Sequence, residues 1–94
     1  MAANTYPSDL LAGQVAIVTA AGRGIGQGIA LALARAGASV LVNSWGQETT
    51  AATVAAIQAE GGQAHAFPGD ITAPDVMLAA VEAAMARFGR LDIL

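Results

Sequence analysis

The stretch from Val15 to Gly26, reading Val-Ala-Ile-Val-Thr-Ala-Ala-Gly-Arg-Gly-Ile-Gly, leaves the chain few ways to fold. Val15 to Val18 is a short, wholly apolar, β-branched run, as expected of a parallel strand covered on both faces. Gly22, Gly24 and Gly26 follow at once, and then Ile25, Ile29, Ala30, Leu33 and Ala34 recur at helical spacing until Gly37 ends the pattern. A strand that hands over through glycines to a helix starting near Gly24 makes a cradle for a phosphate. The backbone can approach the anion closely, and the helix aims unpaired N–H groups and its positive dipole end at it. On its own such a turn is weak evidence, because it joins strands to helices in many proteins that bind no nucleotide. A second apolar strand, Ser39-Val40-Leu41-Val42, at the distance a βαβ unit requires strengthens the dinucleotide-binding reading.

The order Thr19-Ala20-Ala21-Gly22-Arg23-Gly24-Ile25-Gly26 resembles the Thr-Gly-x-x-x-Gly-x-Gly motif of the short-chain dehydrogenase/reductases. The resemblance extends to Gly69-Asp70-Ile71 and to the ending Gly89-Arg90-Leu91-Asp92-Ile93-Leu94, and covers nearly all of the chain after Leu11. It implies a Rossmann-type, doubly wound parallel α/β sheet, here the N-terminal half with strand order 3-2-1-4, ending within the fourth strand. One position departs from the motif: Ala20 stands where the family has its first glycine. If that residue has positive φ, its methyl group costs about 1 kcal/mol or more.

Cofactor choice is expected at the end of the second strand. An acidic residue about twenty positions beyond the glycines bonds the ribose 2′-hydroxyl of NAD, whereas a basic group nearby serves the 2′-phosphate of NADP. That count reaches Ser44, and Asn43, Ser44 and Trp45 include no carboxylate; Glu48 on the next helix is the nearest. Arg23 could grip a 2′-phosphate bidentately, with Asn43 or Ser44 adding neutral hydrogen bonds, so NADP is favoured over NAD. Arg23 can equally be a solvated loop charge, and Trp45 either an adenine-stacking ring or a partly covered loop aromatic. By resemblance, Asp70 and Ile71 flank the adenine, Asp70 accepting from its exocyclic amine. The alternative is that Asp70 or Thr72 caps the helix beginning at Pro74, with Thr72 as cap leaving Asp70 free.

The remaining segments are scaffold. Residues 1–11 form a leader in which Leu10-Leu11 tuck against the sheet and Tyr6 lies at the surface, and residues 12–94 form the partial dinucleotide-binding domain. A crossover helix over residues 47–60 buries Thr50, Val54 and Ile57, with Ala51 and Ala55 beside them. Residues 63–67 make an edge strand with His65 toward solvent. The helix from Pro74 to Phe88 carries the stripe Leu78, Val81, Met85 and Phe88, with Met85 as core filler.

Composition removes several functions. The net charge is −3 with no lysine and only Arg23, Arg35, Arg87 and Arg90 as cations, which argues against nucleic acid as a partner. Without cysteine there is no disulfide or thiolate metal site, and His65 has no acid at ligand spacing, so no metal is expected. No secretory signal and no apolar run of bilayer length is visible, which fits a cytoplasmic protein without a membrane anchor. At 55% hydrophobic and 12% charged, the chain holds more apolar surface than a core of this size hides, so part of it is expected to be covered.

The resemblance implies hydride transfer between NADP(H) and a carbonyl or alcohol, in a homo-oligomer, with a serine and a Tyr-x-x-x-Lys pair as catalysts. None of these maps onto this sequence, so no catalytic residue is assigned, and residues 1–94 alone are expected to be inactive. A non-catalytic nucleotide-binding module and a non-functional truncated product remain as alternatives, with a methyltransferase a more distant one.

Overall fold

The computed structural model describes residues 7–94, so Tyr6 and the start of the leader lie outside the described residues. Three strands alternate with three helices: β1 (Val15–Val18), α1 (Gly24–Arg35), β2 (Ser39–Val42), α2 (Gln47–Ala59), β3 (Gln63–Ala66) and α3 (Pro74–Phe88). The strands are parallel, β1 pairing β2 from Val15↔Ser39 to Val18↔Val42, and β2 pairing β3 from Ser39↔Gln63 to Val42↔Ala66. The expected succession 3-2-1 is therefore present. At the fourth position stands a single parallel bridge, Ala16↔Ile93, in place of a strand. Around it, Ile93 N–H donates to Val15 O at 3.0 Å and Ile17 N–H to Ile93 O at 2.9 Å.

Successive side chains of a strand point to opposite faces, and this divides the core in two. Val18, Val40, Val42 and Ala64 meet α1 and α2 through Ala30 and Ile57 on one face, whereas Val15, Ile17 and Leu41 meet α3 through Ala80 and Ala84 on the other. The sheet is thus sandwiched between helices. Fully buried Leu41 and Ile57 each contribute about 1.5–3 kcal/mol by leaving water.

The helices bury different faces from those their largest residues suggest. On α3 the buried residues are Ala80 and Ala84, while Leu78 is 60% exposed and Met85 48%, so Met85 is not core filler. Alanine lets the helix axis approach the sheet; Val81 and Phe88 pack only at the margin of that contact. On α1, Ala30 is buried with Leu33 and Ala34 beside it, but Ile25 is 84% and Ile29 48% exposed. On α2 the buried stripe is Thr50, Thr53 and Ile57, with Val54 partly buried and Ala51 and Ala55 exposed. Leu11 packs on the core and its N–H donates to Ala36 O at 2.7 Å, whereas Leu10 is exposed. His65 is half-buried on its edge strand.

Candidate functional site

Because the strands are parallel, their carboxyl ends open on one edge, and the loops after β1, β2 and β3 meet there. Backbone hydrogen bonds lace these loops together. Ala21 N–H donates to Asn43 O at 2.8 Å, Asn43 N–H to Val18 O at 2.9 Å, and Gly69 N–H to Ser44 O at 2.9 Å. Thr19, Ala20, Arg23, Gly24, Ser44, Trp45, Asp70 and Ile71 are all carried by this cluster.

The glycine turn has three distinct local reasons for its sequence. Ala20 sits at φ 52°, the left-handed region that favours glycine, so the departure from the motif leaves a strained alanine. A Cβ on Gly26 would overlap the Ala20 carbonyl, and one on Gly22 would overlap the hydroxyls of Ser44 and Thr49. These two glycines let protein pack on protein, a role added to the expectation that the bare backbone of the turn leaves room for an anion. Gly24 is the position that fits that expectation, being exposed with nothing within 4 Å of where a Cβ would stand. It opens α1, which has no side-chain N-cap and no acidic residue in its first turn. An uncapped, acid-free helix start of this kind leaves backbone N–H groups for an anion, so these residues fit a dinucleotide's pyrophosphate.

Around that start, Arg23 is exposed in an extended conformation and Ile25 stands out beside it. Trp45 is 77% exposed, as a stacking platform requires. Ser44 Oγ lies 3.2 Å from Thr49 Oγ1 and is half-buried. Asn43 does not face the site. It is 1% exposed, and its Nδ2 donates to Phe67 O at 2.9 Å and to Gly69 O at 3.3 Å. It fastens the β3–α3 loop to the end of β2 and cannot reach a 2′-phosphate from there.

Asp70 is likewise not left free. Its Oδ1 accepts from Thr72 N at 3.0 Å and Thr72 Oγ1 at 2.6 Å, and the Thr72 hydroxyl, then its amide, hold the carboxyl below the usual range. This turn braces the loop, and α3 starts from Ala73 without a side-chain cap. Ile71 is half-buried against the α3 side of the core.

Sequence reasoning missed Thr53, which is fully buried in α2 and whose Oγ1 donates to Ala21 O at 2.8 Å. Its signal is spacing: Thr50, Thr53 and Ile57 fall on one helical face, so a β-branched alcohol sits in an apolar stripe. An apolar cleft of about 350 Å³, lined by Ile17, Val18, Thr19, Ile29, Leu33, Met77, Ile93 and Leu94, adjoins the bridge on β1. A second, of about 330 Å³, lies at the amino-terminal edge of the strands, remote from the glycine turn, where Arg35 pairs bidentately with Glu60.

A three-layer parallel α/β sheet with a glycine turn and an uncapped helix at its carboxyl edge defines a nucleotide-binding class of protein. Residues 14–94 match the short chain dehydrogenase family, and the chain belongs to that family. It is 49% identical over 93 residues to a hydroxynaphthalene reductase of Aspergillus fumigatus, covering 97% of this chain and 34% of that protein. It is 45% identical over 80 residues to the short-chain reductase NovJ of Streptomyces niveus, covering 85% and 30%. Among solved structures, a hydroxysteroid dehydrogenase from Escherichia coli superposes with TM-score 0.87 at 43% identity, covering 89% of this chain and 36% of that one. A metagenomic short-chain oxidoreductase in complex with NADP superposes with TM-score 0.83 at 39% identity, covering 89% and 38%. The chain thus spans about a third of the length of these relatives.

Proposed function

We propose that these residues form the cofactor-binding portion of a cytoplasmic oxidoreductase that transfers hydride between NADP(H) and a carbonyl or alcohol. The observation that carries this reading is the start of α1: uncapped, free of acids, and open at Gly24 beside the carboxyl ends of three parallel strands. In this reading the backbone from Ala20 to Gly26, with Thr19 and Ile25, holds the pyrophosphate and the groups next to it. Arg23 and Ser44 meet the 2′-phosphate, Trp45 covers the adenine, and Asp70 and Ile71 border it.

Preference for NADP rests on charge. Among the described residues Arg23 is exposed at the glycine turn, and the end of β2 carries no carboxylate to repel a phosphate. The NADP in the metagenomic relative accords with this choice. When bound, the nicotinamide supplies or accepts the hydride; the residues here bind and orient the dinucleotide. In the family, proton transfer to the substrate oxygen falls to a tyrosine of a Tyr-x-x-x-Lys pair, which residues 1–94, with no lysine and Tyr6 as the one tyrosine, do not contain. Residues 1–94 alone are therefore inactive, and the complete protein works as a homo-oligomer. The test is carbonyl-dependent oxidation of NADPH by the complete protein. Turnover with NADPH supports the proposal, and absence of turnover with either dinucleotide across a panel of aldehydes and ketones overturns it.

A further inference from the structure

The turn that cradles the cofactor in the proposed function is held from behind by a side chain in another helix. Both polar groups of Ala21 are taken: its N–H by Asn43 O at 2.8 Å and its carbonyl by Thr53 Oγ1 at 2.8 Å. Thr53 is completely buried in α2, and Gln27 Nε2 of α1 donates to its hydroxyl oxygen at 3.4 Å. A hydroxyl has one proton to give and lone pairs to receive, so the chain runs in one direction, from Gln27 to Thr53 to Ala21. It joins α1, α2 and the turn at a point where Ala21 itself is fully buried.

From this we infer that Thr53 is a positioning residue for dinucleotide binding, acting through the Ala21–Gly22 peptide; the inference rests on the proposed function. A trans peptide points its C=O and N–H in opposite directions, and no cis bond occurs among the described residues. By holding the Ala21 carbonyl toward α2, Thr53 turns the Gly22 N–H away from α2. It also keeps a carbonyl oxygen from swinging out to face an anion. The neighbouring Ala20 is strained at φ 52°, so the turn has reason to relax if this hold is released. Thr53 touches no cofactor itself, and its effect falls on the pyrophosphate and not on the adenosine end.

The test compares Thr53→Val, which keeps the shape and removes the hydroxyl, with Thr53→Ser, which keeps the hydroxyl, in the complete protein. Affinities are measured for NADPH and for adenosine 2′-monophosphate, which lacks the pyrophosphate. Thr53→Val is expected to weaken NADPH about tenfold and adenosine 2′-monophosphate by less than about twofold, with Thr53→Ser close to wild type. Equal losses for both ligands, no loss for either, or the same loss in Thr53→Ser overturn the assignment. Amide hydrogen exchange without ligand gives a separate reading: Gly22 and its neighbours exchange faster in Thr53→Val and at the wild-type rate in Thr53→Ser. Unchanged exchange in Thr53→Val contradicts the inference even if wild-type protein binds no dinucleotide, an outcome that would instead defeat the proposed function. If Thr53→Val does not fold, Gln27→Met must still speed exchange at Gly22, and wild-type exchange there counts against the chain of hydrogen bonds.

Discussion

The side-chain amide of Asn43 donates to the carbonyl of Phe67 at 2.9 Å, tying the end of β2 to the loop that leaves β3. The same nitrogen reaches Gly69 O at 3.3 Å, and Asn43 is 1% exposed. Replacement by leucine removes the donor and leaves two carbonyls short of a partner. The expected cost is about 1–3 kcal/mol of folding stability, measured by urea unfolding of the complete protein. A variant as stable as wild type would show that water or another donor replaces the amide.

Two glycines only two residues apart in α1, Gly26 and Gly28, should respond in opposite ways. Gly26→Ala forces a Cβ onto the Ala20 carbonyl and is expected to cost about 1–3 kcal/mol while weakening dinucleotide binding. Gly28 lies in the helix with nothing within 4 Å of an added Cβ, so Gly28→Ala is expected to stabilise by about 0.5–1 kcal/mol. Equal effects from the two substitutions would contradict the packing described for the turn.

Ala20 offers a gain of a different origin. It is exposed and sits at φ 52°, so Ala20→Gly removes little packing and relieves left-handed strain. The expected stabilisation is about 1 kcal/mol, read from the shift in urea midpoint. A loss of stability would mean that the turn gains more from alanine's restricted unfolded chain than it loses in strain.

The acid limit of stability should lie with carboxylates that gain partners on folding. Arg90 pairs with both oxygens of Asp92, and Val15 N–H donates to Asp92 Oδ2 at 2.9 Å. The Arg90 hydrogen bond foremost, then that from Val15, holds the Asp92 carboxyl below its ordinary value; Asp70 and Glu60 move the same way. A depressed carboxyl adds stability above its unfolded value, and that contribution is lost as pH falls through the folded value. Asp92→Asn is therefore less stable than wild type at neutral pH, and the gap narrows below about pH 4. A difference in melting temperature that stays constant with pH would exclude this linkage.

Much of the fold is legible in the sequence because each element carries its own signals. The β-branched run at Val15, the glycines that end helices, and Pro74 at the start of α3 are all local, and the elements appear where these signals place them. Burial was harder to read, because α1 and α3 carry apolar residues on more than one face. Leu78 and Met85 have the bulk expected of a core, yet Ala80 and Ala84 meet the sheet because only small side chains permit that approach. The polar roles depend on partners far along the chain. Asn43 finds Phe67, and Thr53 finds Ala21, through contacts that no local pattern announces. Asp70 is the opposite case: its partner Thr72 is only two residues away, and the competing Asx-type turn was available in the sequence itself.

The most direct test of the account is a pair of titrations, NADPH and NADH, against the complete protein and its Arg23→Ala variant. The account predicts saturable binding of both to wild type, NADPH at least about tenfold tighter, with Arg23→Ala losing that preference and leaving NADH unchanged. Failure of both dinucleotides to bind wild-type protein would contradict it.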